Sequence, residues 1–252
     1  MLLKDKVAFV TGAASGIGAA GAIAMAREGA DVTLADINAD AVQSVADRIT
    51  ADGGTAHAIP LDVGDDADLM AAIDTCAARH GRLDVLHSHP GLQIEGTLEQ
   101  VTVDDMDASW RLNVRSHFVA AKAAMAYMKP ARRGSIIITA SGSGVQYDSE
   151  MIAYATTKHA AVAMARQIAK DFGKDNVRVN ALCPGFIDTP FNQGFEIQMG
   201  GRDRLEAYIA DEIPMGRFGT VAEMADAIVY LASDRSTFMT GHALVIDGGE
   251  CL

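Results

Sequence analysis

The chain has 252 residues, of which 49% are hydrophobic and 21% charged, a balance that supports a sizeable core and excludes a disordered chain. With 21 basic and 33 acidic residues the formal net charge is −12, so repulsion from phosphates argues against nucleic acid or an anionic membrane surface as a partner. Small anionic ligands stay open, because local backbone dipoles can hold them against an acidic average.

Strands and helices alternate from end to end. Lys6 to Thr11 (KVAFVT) reads as a strand, Gly16 to Gly29 as a helix of small residues and Asp31 to Ile37 (DVTLADI) as a second strand. A helix from Ala39 to about Asp52, a strand from Thr55 to Leu61, a helix from Ala67 to His80 and a strand from Leu83 to His87 follow. One long helical region spans Val103 to Met128. Ser135 to Ala140 (SIIITA) is a near-continuous apolar run, the pattern of a parallel strand covered on both faces. Ile152 to Phe172 is a helix, Val177 to Cys183 a strand, Val221 to Ala232 a helix and Ala243 to Ile246 a last strand. Single helices between strands imply a parallel sheet with right-handed crossovers. The expectation is a single α/β domain, a Rossmann-type doubly wound parallel sheet of about seven strands over residues 1–252.

Cys76, Cys183 and Cys251 are odd in number and lack metal-ligand spacing, which suggests free thiols in a reducing compartment. The start, Met1-Leu-Leu-Lys-Asp-Lys, lacks a leader's apolar stretch, and no apolar run approaches the ~20 residues of a membrane span. A cytoplasmic location, away from membranes, is expected.

Four motifs carry chemistry. Gly12-Ala-Ala-Ser15-Gly16-Ile17-Gly18 lies where the first strand turns into a helix, where unpaired N–H groups and the helix dipole attract a pyrophosphate. Its spacing is neither G-x-G-x-x-G nor a P-loop, and an ordinary glycine-rich turn is the alternative. Asp36 closes the second strand, where a carboxylate can accept two hydrogen bonds from an adenosine ribose and repel a 2′-phosphate. Ile37 beside it brings no positive charge, which favours NAD over NADP; a solvated strand-end Asp or a helix cap is the alternative. Asp62-Val63, after the third strand, similarly faces the adenine edge. Tyr154-Ala-Thr-Thr-Lys158 sets a phenol and an ammonium four apart on one helix face, although such pairs are also common on helix surfaces. A neighbouring cation favours the phenolate. Ser141, just past the SIIITA strand, occupies a strand end where open sheets meet ligand.

Taken in order, Thr11–Gly18, Asp36, Asp62, Asn113, Ser141, Tyr154 and Lys158 resemble the short-chain dehydrogenase/reductase family in its ~250-residue form. Pro184-Gly185-Phe-Ile187-Asp-Thr189-Pro190 and the Thr240–Gly249 stretch extend the resemblance to the C-terminus. It implies Tyr154 as proton donor or acceptor, and Lys158 as a nicotinamide-ribose contact that lowers the tyrosine pKa. It implies Ser141 as a hydrogen-bond partner of the reacting oxygen and Asn113 as the holder of a water behind Lys158. Ile187 and Thr189, with Pro184 and Gly185, match the nicotinamide-contacting segment. The implied activity is hydride transfer between NAD and a secondary alcohol or its ketone, with a homotetramer or homodimer as the assembly. A catalytically silent NAD-binding regulatory protein is the alternative, since fold does not imply function.

One segment departs from the family. Ser88-His89-Pro90-Gly91 stands where Asn-Asn-Ala-Gly is usual, and Pro90 has no N–H to offer. Ser88 and Gly91 are carried over as cofactor contacts, and His87 with His89 reads better as a substituted turn than as a metal site. Residues 188–211 mix Phe191, Phe195, Met199 and Tyr208 with Asn192, Gln193 and Gly200-Gly201, and read as a substrate loop or lid, as a surface helix pair packing on the sheet, or as both. Gln93, Ser143, Gln146 and Tyr147 add polar character, consistent with a small polyol, cyclic alcohol or sugar-derived alcohol.

Overall fold

The first strand, β1 (Val7–Thr11), is buried at all five positions. Its side chains divide between two cores: Val7 and Phe9 enter one and Ala8 and Val10 the other. A strand with apolar residues on both faces needs helices on both, and a computed structural model covering residues 1–252 shows that arrangement. Seven parallel strands run in the order β3-β2-β1-β4-β5-β6-β7, the others being β2 (Asp31–Asp36), β3 (Thr55–Pro60), β4 (Val85–Ser88), β5 (Gly134–Thr139), β6 (Val177–Pro184) and β7 (Ala243–Ile246). On one face pack α1 (Gly16–Arg27), α2 (Ala39–Ala51) and α9 (Val221–Ala232). On the other pack α3 (Asp66–His80), α5 (Ser116–Ala131) and α6 (Ile152–Phe172). No helix is long and apolar enough to cross a membrane.

Strand order reverses between β1 and β4, which opens a crevice at the carboxyl ends of the strands. The turns after β1, β2, β3, β4, β5 and β6 all end there.

Two elements differ from the sequence expectation, and a third takes the helix-pair form of its reading. The long helical region is α4 (Val103–Trp110), one π turn (Arg111–Arg115) and α5. Its hydrophobic pattern is continuous, so nothing periodic marks the widened turn. β4 begins at Val85 because the Asp84 carboxylate is turned to β1, where Oδ2 accepts from Val7 N at 2.9 Å. The stretch 188–211 contains two helices, α7 (Gln193–Met199) and α8 (Arg202–Glu212), separated by Gly200 and Gly201 at positive φ.

Candidate active site

At the β1–α1 turn the backbone is shaped by what glycine lacks. Gly12 sits at φ +66°, and a Cβ on Gly18 would lie 2.0 Å from the Gly12 carbonyl oxygen, so helix and loop close only on a bare Cα. Ser15 caps α1 without a side-chain bond, leaving the first N–H groups directed at the crevice. Gly12, Ser15, Gly16 and Ile17 line a cleft of about 810 Å³, whereas Gly18 supports the loop from behind.

Asp36 and Ile37 line the same cleft at the end of β2. The Asp36 carboxylate is partly engaged, Oδ2 accepting from Ala14 N and Oδ1 from Asn38 N, each at 3.0 Å. It therefore tethers the glycine loop from the wall of the cleft. Asp62 and Val63 form the next part of this wall, with Asp62 Oδ1 accepting from Gly64 N at 2.8 Å.

On the opposite wall α6 presents Tyr154 and Lys158, both buried yet lining the cleft. Lys158 Nζ lies 5.5 Å from the centre of the Tyr154 ring and donates to the Thr139 carbonyl at 3.1 Å. Ser141 lines the same cleft and accepts from Ser143 N at 3.2 Å through Oγ. Burial pushes the phenol up to about 12, with Ser141 opposing it and the Asp148 charge adding to it. Burial pulls the Lys158 ammonium down to about 8. The loss of water thus outweighs the lowering of the phenol by the protein's own groups.

Asn113 occupies the π turn and is fully buried. Its Oδ1 accepts from Leu92 N at 2.7 Å, while Nδ2 donates to Leu92 O at 2.8 Å and to Thr157 Oγ1 at 3.0 Å. It fixes the loop after β4 against α6. A Cβ on Gly91 would lie 3.4 Å from Lys158 Nζ and 3.8 Å from Asn113 Oδ1, so the bare Gly91 lets both side chains approach the same stretch of loop.

The departure at 88–91 has a clear layout, and it corrects one expectation. Ser88 does not reach the cleft: it is buried in β4 with Oγ 2.7 Å from His117 Nδ1. Alternation along the strand turns His89, not Ser88, to the cleft. His89 lines the cleft, and its Cδ2 lies where a Cβ on Gly18 would come within 2.9 Å. Its Nδ1 and His87 Nε2 both lie 3.0 Å from Thr139 Oγ1, with the rings 5.2 Å apart. A hydroxyl that donates to one ring and accepts from the other satisfies these two nitrogens, while His87 Nδ1 is buried without a partner. His89 N donates to Thr11 Oγ1 at 3.1 Å, replacing part of the pairing that Pro90 cannot give.

The segment after β6 forms another wall of the cleft. Pro184, Gly185, Ile187 and Thr189 line the cleft, as do Phe191, Phe195, Met199 and Tyr208 of the expected lid. Ser143 and Tyr147 line it too, whereas Gln93 and Gln146 bond Glu95 and Asp148 instead. Residues that the sequence did not mark complete this wall: Asp148, Glu150 and Glu250. Glu250 Oε2 lies 2.7 Å from the place of a Cβ on Gly185, and burial, then the charges of Asp148 and Asp247, push its carboxyl up to about 7. Lys158 is the only basic side chain other than histidine lining the cleft.

The sequence pattern described as Enoyl-(Acyl carrier protein) reductase matches residues 12–250. The chain belongs to the short-chain dehydrogenase/reductase family. A short-chain dehydrogenase/reductase from Serratia marcescens superposes with a TM-score of 0.92 at 33% identity, covering 100% of both chains. Among curated members of this family, trans-4-hydroxycyclohexanecarboxylate dehydrogenase of Sinomonas cyclohexanicum is 36% identical, covering 98% of this chain and 93% of its own. D-threitol dehydrogenase of Mycolicibacterium smegmatis is also 36% identical, over 98% of this chain and 93% of its own. The chain is an NAD(P)-dependent oxidoreductase of the short-chain dehydrogenase/reductase type.

Proposed function

We propose that this chain oxidises an uncharged secondary alcohol to its ketone with NAD, and reduces the ketone in reverse. One observation carries the reading: Ser141, Tyr154 and Lys158 converge on a cleft whose other charged walls are acidic. The residues present fit a dinucleotide, with a side-chain-free turn at Gly12–Gly18, open N–H groups at the start of α1 and a carboxylate at Asp36. When bound, that cofactor takes or gives the hydride.

The chain's own residues supply the proton and the positioning. Tyr154 donates its phenolic proton to the carbonyl oxygen in reduction and removes the alcohol proton in oxidation. Ser141 hydrogen-bonds the same oxygen and fixes it beside the phenol. Lys158, held by the Thr139 carbonyl, reaches the ribose side of the cleft, and Asn113 braces the loop behind it. With its pKa near 12, Tyr154 keeps its proton at neutral pH, which serves reduction, while oxidation gains as pH rises.

Charge narrows the cofactor and the substrate. Asp36 opposes a 2′-phosphate and Ile37 offers it no cation, which supports NAD. Asp148, Glu150 and Glu250, without an arginine among the lining residues, oppose a carboxylate, sulfonate or phosphate on the substrate. Phe191, Phe195 and Met199 add apolar cover, so a polyol or cyclic alcohol such as threitol fits better than a carboxylated ring. Three unpaired thiols suit a reducing cytoplasm. The test is a panel of neutral secondary alcohols and their carboxylate-bearing counterparts, incubated with NAD at alkaline pH and followed by absorbance of the reduced cofactor. Turnover confined to or strongest with the neutral members supports the assignment, and preference for the anionic members defeats it.

A further inference from the structure

At the opposite end of the sheet from the cleft, three side chains from separate elements converge. Asp31 opens β2, His57 lies in β3 and His80 is the last residue of α3. Asp31 pairs with Thr55 and Thr33 with His57, so His57 is the diagonal same-face neighbour of Asp31. Gly81, at φ +66°, ends α3 and leaves His80 above this corner. His57 Nε2 lies 3.4 Å from Asp31 Oδ1, His80 Nε2 lies 3.1 Å from Asp31 Oδ2, and the three ligand atoms lie within 4.8 Å of one another.

We propose that Asp31, His57 and His80 form a divalent transition-metal site, with zinc as the fitting ion and water as its fourth ligand.

Two observations support it. Bonds of ~2.0–2.1 Å at tetrahedral angles put ligand atoms about 3.3–3.4 Å apart, near the 3.4 Å between His57 Nε2 and Asp31 Oδ1, while His80 Nε2 lies nearer the other carboxylate oxygen, 3.1 Å from Oδ2. Asp31 Oδ1 is moreover buried with no hydrogen-bond partner, so the 3.4 Å approach of His57 leaves that oxygen unsatisfied. A metal satisfies it without moving the backbone. Two imidazoles and a carboxylate suit zinc and its neighbours, not magnesium or calcium, which prefer oxygen ligands. Asp31 and His57 are partly buried and His80 is exposed, leaving one side open to solvent for a water.

Two further groups face the corner from α3. Arg79 donates to Thr33 Oγ1 at 3.4 Å, and its charge weakens cation binding without entering the ligand set. Cys76 is buried against Thr33, with its thiol pushed up by burial, and keeps its proton. The site clips the edge strand β3 to β2 and α3. Asp31 and Asp36 stand at opposite ends of β2, about 17 Å apart at ~3.3 Å per residue, so the ion takes no part in the cleft's chemistry.

The test uses the full-length, tag-free chain, stripped with a chelator and titrated with Co²⁺ and then Zn²⁺. One equivalent of Co²⁺ with the intense visible absorption of four-coordinate geometry, displaced by Zn²⁺ and accompanied by a raised melting temperature, is expected. His57→Ala and His80→Ala should each weaken binding at least ~10–100-fold, the loss typical of removing even an outer-shell partner. Because His80 sits at a helix end, His80→Ala keeps the test open if His57→Ala does not fold. Absence of Co²⁺ binding by the parent chain, or binding unchanged in the folded variants, overturns the site.

Discussion

Lys158 Nζ donates to the Thr139 carbonyl at 3.1 Å, and the Thr139 hydroxyl lies 3.0 Å from both His87 and His89. The end of β5 therefore positions the ammonium and the histidine pair together, and its lack of water pulls Lys158 down to about 8. In chain methylated with ¹³C at its lysines, one NMR resonance should titrate near that value and vanish in Lys158→Met. Titration of that resonance near the ordinary ~10.4 would contradict the burial of the amine.

Asp36 acts on cofactor choice and on the loop at once. Asp36→Ala should weaken NAD, because it removes a ribose acceptor and frees Ala14 N and Asn38 N. Asp36→Ala with Ile37→Arg should narrow or reverse the preference over NADP, since a unit-charge pair at 4 Å is worth about 4 kcal/mol gross at intermediate dielectric. Calorimetry with both cofactors decides: equal affinity of the unmodified chain for NAD and NADP removes the basis for the assignment.

The buried histidines set an acid limit on stability. Burial first, and then neighbouring positive charge, lowers His89 to about 3 and carries His87 and His117 well below their ordinary value. The unfolded chain binds their protons more readily, so their stability is fully present above about pH 6.5 and lost as pH falls toward the folded values. Each contributes up to ~1.4 kcal/mol per pH unit in that window. Urea midpoints should drop between about pH 7 and pH 5, and the drop should shrink in His117→Gln. An identical drop in that variant would place the acid sensitivity elsewhere.

We expect a homotetramer, or a homodimer, built by pairing the α4–α5 and α6 faces. Trp110 and Phe118 point outward there, 46% and 52% exposed, beside the alanine-rich start of α6. Light scattering should give an oligomer at micromolar concentration, reduced in size by Phe118→Glu. A monomer at that concentration would refute the expectation.

Much of this was legible in the sequence because it is local. Lys6–Thr11 reads as a strand and Ser135–Ala140 as a doubly covered one, and Tyr154 and Lys158 stand four apart on a helix that is where the pattern puts it. Arrangements that join distant segments were not legible. Ser88 turns inward to His117, since a one-residue alternation decides which side chain meets the cleft. Glu250 enters the cleft from the second-last turn of the chain, through the space left by Gly185. Asp31, His57 and His80 share no spacing and meet only when β2, β3 and α3 pack. The Tyr154 phenol was expected low from its lysine neighbour, but its burial, which no spacing reveals, lies on the other side of the balance.

Proton transfer by Tyr154 is the step on which the proposed function rests. Its most direct test compares the unmodified chain with Tyr154→Phe, using NAD and a neutral secondary alcohol that the parent turns over, with NAD binding measured alongside. Oxidation by the parent should rise with pH as the phenol ionises. Tyr154→Phe should bind NAD nearly as well and lose ~10²–10⁴-fold in turnover, the usual contribution of a general acid or base. A folded, NAD-binding Tyr154→Phe chain that keeps more than about a tenth of the parent rate would contradict the account.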